Sequence, residues 1–253
     1  MTEEERYFFD VRGYHLVENA LNPDELKALN EIFDAQQAHL PGPRAGRARY
    51  LELINWGRPY RDLIDHPAVL PHLEEMLGEG LRLDHEYAEH MVAGGAGELH
   101  INGTPYSTMF HYHVAEGRIH CGLVAVVWAL QDVPPGVGGF CCIPGSHKSS
   151  FAPPVSITCV GTPSPGVQQI SCPAGSAIIF TEALRHGTLA WNAPTQRRSL
   201  FYKYSPRHVS WWGTYYDPEA YDYTDRQKKL LHAPYHSRTW QQAPGKGYVV
   251  SPS

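Results

Sequence analysis

The sequence has no apolar run approaching the roughly 20 residues that cross a bilayer, so no membrane-spanning helix is expected. It has no excess of basic residues either. Lys and Arg total 21 against 26 Asp and Glu, a formal net charge of −5. That balance offers no electrostatic footprint for nucleic acid or an anionic membrane. Cysteine is sparse: Cys121, Cys141, Cys142, Cys159 and Cys172, with no CxxC pair. An odd count with two neighbours argues against a disulfide framework and for a reducing compartment. The missing CxxC also removes the usual structural zinc site. Met1 to Arg6 is acidic and polar, the reverse of a signal peptide. These absences predict a cytoplasmic protein whose partners are small molecules.

Histidine, by contrast, is plentiful at 15 residues, enough to furnish a metal site. A length of 253 residues is ordinary for one all-β barrel or sandwich. A chain of that size needs neither disulfide nor structural metal to be stable. No repeat, low-complexity stretch or linker divides it, so residues 1–253 are expected to form a single domain. Its parts are a helical N-terminal region at about 20–80, a β core at about 81–206, and an aromatic-rich C-terminal tail.

Residues 7–17 read as a short extended lead-in turned at Gly13. Asn22-Pro23-Asp24-Glu25 then supplies an N-cap, a proline for the first helical position and two acids for the first turn. Leu26, Leu29, Ile32 and Phe33 follow at helical spacing. Further helices are predicted at 68–77 and around 218–232. From Leu81 onward, β-branched and aromatic runs alternate with Gly, Pro and Ser clusters. The clearest strands are 123–130, 140–143, 177–180 and 199–204, and Pro134 to Gly139 reads as a tight hairpin. Helices followed by many strands give a mainly β, α+β fold with helices packed on one face of a β-sandwich.

The buried strand at 175–180 is expected to deliver His186 to its end, where Gly187 permits close approach of a ligand or metal. Arg197 lies eleven residues further on and opens the next strand. A guanidinium holds a planar carboxylate by two parallel hydrogen bonds. A histidine metal ligand beside such a clamp is what a chelating 2-oxo acid requires.

Trp128-Ala129-Leu130 through Pro144-Gly145-Ser146-His147-Lys148, then His186-Gly187-Thr188 and Arg197, resembles the phytanoyl-CoA hydroxylase family. So does the N-terminal stretch Phe9-Asp10-Val11-Arg12-Gly13-Tyr14 with Asn19-Ala20-Leu21-Asn22. The likeness runs from about residue 9 to 206. It implies a double-stranded β-helix, a cupin-like jelly-roll. It also implies an iron(II)- and 2-oxoglutarate-dependent dioxygenase that consumes O2 and hydroxylates an unactivated carbon. Because nothing in the Lys and Arg distribution demands an acyl-CoA, the expected substrate is a small metabolite or natural product. By the same resemblance His186 is the distal iron ligand and Arg197 clamps the far carboxylate of 2-oxoglutarate. Thr188 and Trp128 line the cofactor pocket, and Arg198 is the neighbour that can stand in for Arg197. The Pro-Gly-Ser-His segment is a structural turn.

One part of the family pattern is missing: a His-x-Asp pair before the Trp128 strand, which completes a two-histidine, one-carboxylate triad. Three replacements compete. His100-Ile101-Asn102 preserves the order of strand and ligand pair, with Asn102 in the carboxylate position. His111-Tyr112-His113 offers a three-histidine site with His186. His113-Val114-Ala115 leaves the carboxylate position empty. Glu182, four residues before His186, would be about 13 Å away along an extended strand and joins the site only through a bend. An empty position is filled by chloride in related halogenases, so hydroxylation, halogenation, desaturation and oxidative C–N cleavage all stay open. A 2-oxoglutarate-independent three-histidine oxygenase and a non-catalytic jelly-roll are the further alternatives. Tyr106, Phe110 and Tyr112 suit a lid. Trp211, Trp212, Tyr215 and Tyr216 suit either the pocket mouth or a homodimer interface.

Overall fold

The first dozen residues form a helix, α1 (Glu3–Arg12), where the sequence suggested an extended segment. Thr2 and Glu5 make a capping box, three acids fill the first turn, and Gly13 closes the helix at φ 82°. These end effects outweigh the β-propensity of Tyr7-Phe8-Phe9. Only β1 (Tyr14–Val17) of the lead-in is extended. The next helix, α2 (Pro23–Gln37), starts where Asn22 predicts, its side chain accepting from the Asp24 and Glu25 backbone N–H groups. The computed structural model describes residues 1–234 apart from 102, 105, 158–163, 165 and 214.

Then come β2 (Arg47–Leu51), α3 (Arg58–Asp62), α4 (Leu70–Leu77), β3 (Arg82–Met91) and β4 (Gly97–His100). The hairpin β5 (Tyr112–Ala115) and β6 (Arg118–Cys121) follows, and then β7 (Val124–Ala129), β8 (Gly139–Cys142) and β9 (Gln168–Gln169). The chain continues with β10 (Ala177–Thr181), β11 (His186–Leu189), β12 (Arg197–Ser205) and α5 (Asp225–Leu230). The last helix is shorter than the predicted 218–232, because Thr224 caps it.

Two antiparallel sheets face each other, ordered β1-β10-β7-β12-β3-β2 and β4-β11-β8-β9. This is the expected jelly-roll with helices on one face, as an open pair of sheets and not a closed barrel. After the separate β5–β6 hairpin, the chain crosses repeatedly between the two sheets. The Pro134–Gly139 turn therefore carries the chain from β7 in one sheet to β8 in the other, and it is not the hairpin its composition suggests.

The period-two alternation of the large sheet decides what each side chain sees. One face (Ala125, Val127, Ile178, Phe180 and Phe201) packs into the space between the sheets with Phe140, Leu184 and Trp191. The other face (Val126, Trp128, Ile179, Leu200 and Tyr202) packs on Leu29, Phe33, Tyr60 and Leu73 of the helical layer. Tyr202 and Tyr204 donate hydroxyl hydrogen bonds to the carbonyls of Tyr60 (2.7 Å) and Ile64 (2.9 Å), pinning that layer. Trp128 is fully buried and meets the His66 ring at 5.0 Å. Trp128→Ala should cost about 3–5 kcal/mol of stability, read in a denaturant melt, and leave 2-oxoglutarate affinity unchanged. A selective loss of cofactor affinity would instead put Trp128 in the pocket.

Candidate active site

The edge strand β4 pairs with β11 so that His100 stands directly opposite His186, with ring centroids 4.3 Å apart. Gly187 makes this pairing possible, since a β-carbon there would meet Glu98 O at 2.7 Å. The close approach inferred at Gly187 is thus to the neighbouring backbone and not to a ligand. Nor does His186 end the 175–180 strand. That strand stops at Thr181, a turn closed by Leu184 N–H to Thr181 O at 2.9 Å follows, and His186 opens β11 in the facing sheet.

Both imidazoles are tied to backbone carbonyls through Nδ1: His100 to Glu98 O at 2.9 Å and His186 to Leu184 O at 2.7 Å. A carbonyl can only accept, so each Nδ1 carries the proton and each Nε2 keeps its lone pair. This is the tautomer and second contact typical of metal-binding histidines. Burial pushes the His186 pKa down to about 3, so the ring is neutral and able to ligate. The Phe180 and Phe140 rings lie against it at 4.6 and 6.1 Å.

Two further groups hold this pair: Arg185, which no sequence signal marks, and Glu182, which joins through the bend the sequence required of it. Arg185 donates to Leu99 O and Ile101 O, both at 2.8 Å, fastening the carbonyls on either side of His100 to the residue preceding His186. Its own N–H donates to Ser146 Oγ at 2.8 Å, which makes the Pro-Gly-Ser-His turn a structural support. The turn after β10 brings Glu182 back to the site: Oε2 lies 3.9 Å from His186 Nε2, and Oε1 pairs with Lys203 Nζ at 2.7 Å. Burial raises the Glu182 carboxyl, but Lys203 and the two imidazoles outweigh it and bring it down to about 2.

Arg197 and Arg198 are neighbours on β12 and so point to opposite faces. Arg197 is buried on the inner face, with Nη1 3.2 Å from Met91 Sδ and 4.0 Å from Glu89 Oε2, while its Nε has no partner among the described residues. Gly139, at φ +88°, makes room for it, since a β-carbon there would stand 3.3 Å from Nε. Thr188 shares the inner face of β11 with His186. A β-carbon on the opposing Gly97 would stand 3.6 Å from Thr188 Oγ1 and 3.1 Å from Arg47 Nη1. Arg47 and Arg49 both pair with Glu89, so β2 contributes charge that no motif announced. Arg198 lies on the other face, against Asp34, Asn30, Gln37 and the Phe33 ring. Trp128 and Arg198 are thus behind the sheet, correcting their placement as cofactor contacts; a one-residue difference along a strand reverses the face.

The model of the family described as phytanoyl-CoA dioxygenase (PhyH) matches residues 9–199. The chain belongs to the phytanoyl-CoA dioxygenase family. Like other members, it is an iron(II)- and 2-oxoglutarate-dependent dioxygenase. Among characterised proteins it is similar to the ectoine dioxygenase of Nocardia farcinica, 24% identical over 76% of this chain and 74% of that one. Among solved structures it shares its fold with HygX from Streptomyces hygroscopicus with nickel and 2-oxoglutarate bound (TM-score 0.77, 22% identity, 84% of this chain and 90% of that one). It shares it also with SnoN, a non-heme alpha ketoglutarate dependent epimerase from nogalamycin biosynthesis (TM-score 0.64, 19% identity, 93% and 95%).

The family's cofactors match the residues present. Two lone-pair imidazoles face each other at the mouth of the sandwich, and a buried guanidinium N–H lacks the acceptor that its burial demands. Asn102, one of the sequence's candidates for the carboxylate position, lies outside the described residues. His113 is not brought to His186. It stacks on His120 at 4.9 Å, near His111, in a separate cavity of ≈1310 Å³ whose lining includes neither His100 nor His186. The three-histidine arrangement therefore has no support in this dioxygenase. Of the lid candidates, Tyr112 bonds Asp10 at 2.6 Å and Phe110 packs on Trp211 at 4.8 Å. Trp212, Tyr215 and Tyr216 line a ≈320 Å³ cavity with Tyr87, whose ring stacks on Phe201 of the inner face. No helix among the described residues is long and apolar enough to cross a membrane.

Proposed function

We propose that this chain hydroxylates an unactivated carbon of a small metabolite or natural product. His100 and His186 hold the iron, and Arg197, helped by Thr188 and Arg47, receives the distal carboxylate of 2-oxoglutarate. The observation that carries this reading is the pairing of two Nε2 lone pairs with a buried, unpartnered Arg197 Nε across the same inner face. When bound, iron with 2-oxoglutarate supplies the oxidising power of the reaction. The protein's own residues bind, orient and exclude water. The Arg185 ties fix the strand of His100, the Nδ1 contacts set each ring, and Phe140 and Phe180 keep the His186 side dry. The aromatic cavity of Tyr87, Trp212, Tyr215 and Tyr216 is the place for a substrate of modest size.

The test is anaerobic titration of iron(II)-loaded protein with 2-oxoglutarate, following the weak visible charge-transfer band of the chelate. The band is expected in wild type and after His113→Ala, and is expected to vanish after His100→Ala or His186→Ala. No band with iron fully bound would overturn the reading. Product mass then separates outcomes: hydroxylation adds one oxygen atom to the substrate, whereas epimerisation adds none.

A further inference from the structure

The carboxylate missing from the His-x-Asp position has a counterpart on the other side of the His186 turn. We propose that Glu182 is the third iron ligand, so that His100, His186 and Glu182 form a two-histidine, one-carboxylate set. This rests on the oxygenase reading above and names a ligand it leaves open.

The gap between Glu182 and His186 is the central observation. Oε2 and Nε2 lie 3.9 Å apart, too far for a hydrogen bond. Both atoms are electron-pair donors, because the His186 proton sits on Nδ1 against Leu184 O. Among the described residues no hydrogen-bond donor is aimed at Oε2. Two lone-pair groups facing each other inside a protein call for a cation between them. The His186–Glu182 spacing of 3.9 Å falls between the separations that bonds of about 2.1 Å set, roughly 3.0 Å for adjacent and about 4.2 Å for opposite ligand atoms. The His100 ring has to swing in to join them, since among the described residues only Glu5, His15 and His72 already bring three such atoms within 4.8 Å.

The surroundings fit the same role. Glu182 is 1% exposed and its Oε1 lies 2.7 Å from the Lys203 ammonium, an ion pair that orients the carboxylate with Oε2 toward His186. Lys203 itself stands on the inner face of β12, in line with Arg197 at alternate positions. A carboxylate held from behind by a cation and offered to a metal from the front follows the general pattern of supported ligands. The turn 182–184 provides the bend that lets a residue only four positions from His186 reach its ring. With that position filled by oxygen, the vacancy needed for halide transfer is gone.

Iron(II) binding, measured anaerobically by calorimetry, distinguishes the cases. All proteins carry His72→Ala, because Glu5, His15 and His72 bring three ligand atoms within 4.8 Å elsewhere and would confuse the stoichiometry. Glu182→Gln should weaken iron binding by about 10-fold or more. Because Glu182→Gln strands a buried ammonium and can unfold the chain, Glu182→Gln combined with Lys203→Met serves as the folded version and should show the same loss. Lys203→Met alone keeps the carboxylate and should gain more thermal stability from iron than the parent does, since the ion then supplies the missing positive charge. Parent-like iron affinity in the folded double variant, with His186→Ala still abolishing binding, would overturn Glu182 as a ligand and leave the oxygenase reading standing. Iron binding that also survives His186→Ala would overturn both.

Discussion

Arg197→Leu is expected to raise the 2-oxoglutarate concentration for half-saturation by about 100-fold or more while the protein stays folded. Two charge-assisted hydrogen bonds at roughly 1.5–3 kcal/mol each set the scale, and about 1.4 kcal/mol corresponds to a factor of ten. The fold should tolerate the change because Glu89, the acid nearest the guanidinium, keeps its pairs with Arg47 and Arg49. Those pairs also hold the Glu89 carboxylate ionised: burial raises its pKa, and the three arginines outweigh that and lower it. Arg197→Lys should recover only part of the affinity, since an ammonium keeps the charge without the fork. Arg198→Gln is the control. It removes contacts to Asp34 and Gln37 behind the sheet and should leave cofactor affinity alone. Binding of 2-oxoglutarate to anaerobic iron-loaded protein gives the answer, and a reversed result would mean the two arginines have been assigned to the wrong faces.

His186→Ala should lower iron(II) affinity by more than about 100-fold and abolish turnover. Even a change behind a ligand typically costs about 10–100-fold in metal affinity, and here the ligand itself goes. The variant should still fold, because the ring removed is neutral and only the Leu184 carbonyl loses a donor, worth about 1–3 kcal/mol. His113→Ala, on the β5–β6 hairpin among His111 and His120, should bind iron as wild type does. Equilibrium dialysis of both proteins settles the comparison, and iron lost on removing His113 would restore the three-histidine arrangement.

Much of the β core is legible in the sequence because its signals are local. The runs at 123–130, 140–143, 177–180 and 199–204 all become strands, and Asn22 starts its helix by a hydrogen bond made within three residues. What the sequence conceals depends on long-range pairing. Whether Pro134–Gly139 turns within a sheet or between sheets is decided by the partners of β7 and β8, not by the turn. Arg47 reaches the inner face from a strand 150 residues before Arg197. The facing of Trp128 and Arg198 needs a strand register that composition does not reveal. Glu182 is remote from His186 along an extended chain and reaches it only because Thr181 to Leu184 turn back. The α1 helix is hidden for the opposite reason: its capping box is local, but the aromatic run Tyr7-Phe8-Phe9 inside it carries a competing β signal.

Each Nδ1 contact runs to a carbonyl two residues earlier in the chain, within β4 for His100 and in the preceding turn for His186. The rings are therefore aimed by their own backbone before any ion arrives, and the Arg185 bridge holds the two strands in step. A metal entering such a frame has little chain to order, so its affinity is not consumed in folding work. By mass action, free ion at about 100 times its dissociation constant adds about 2.7 kcal/mol to the native state. The melting temperature of the purified protein thus becomes a gauge of its metal content, and an under-loaded preparation reveals itself as a second, lower transition.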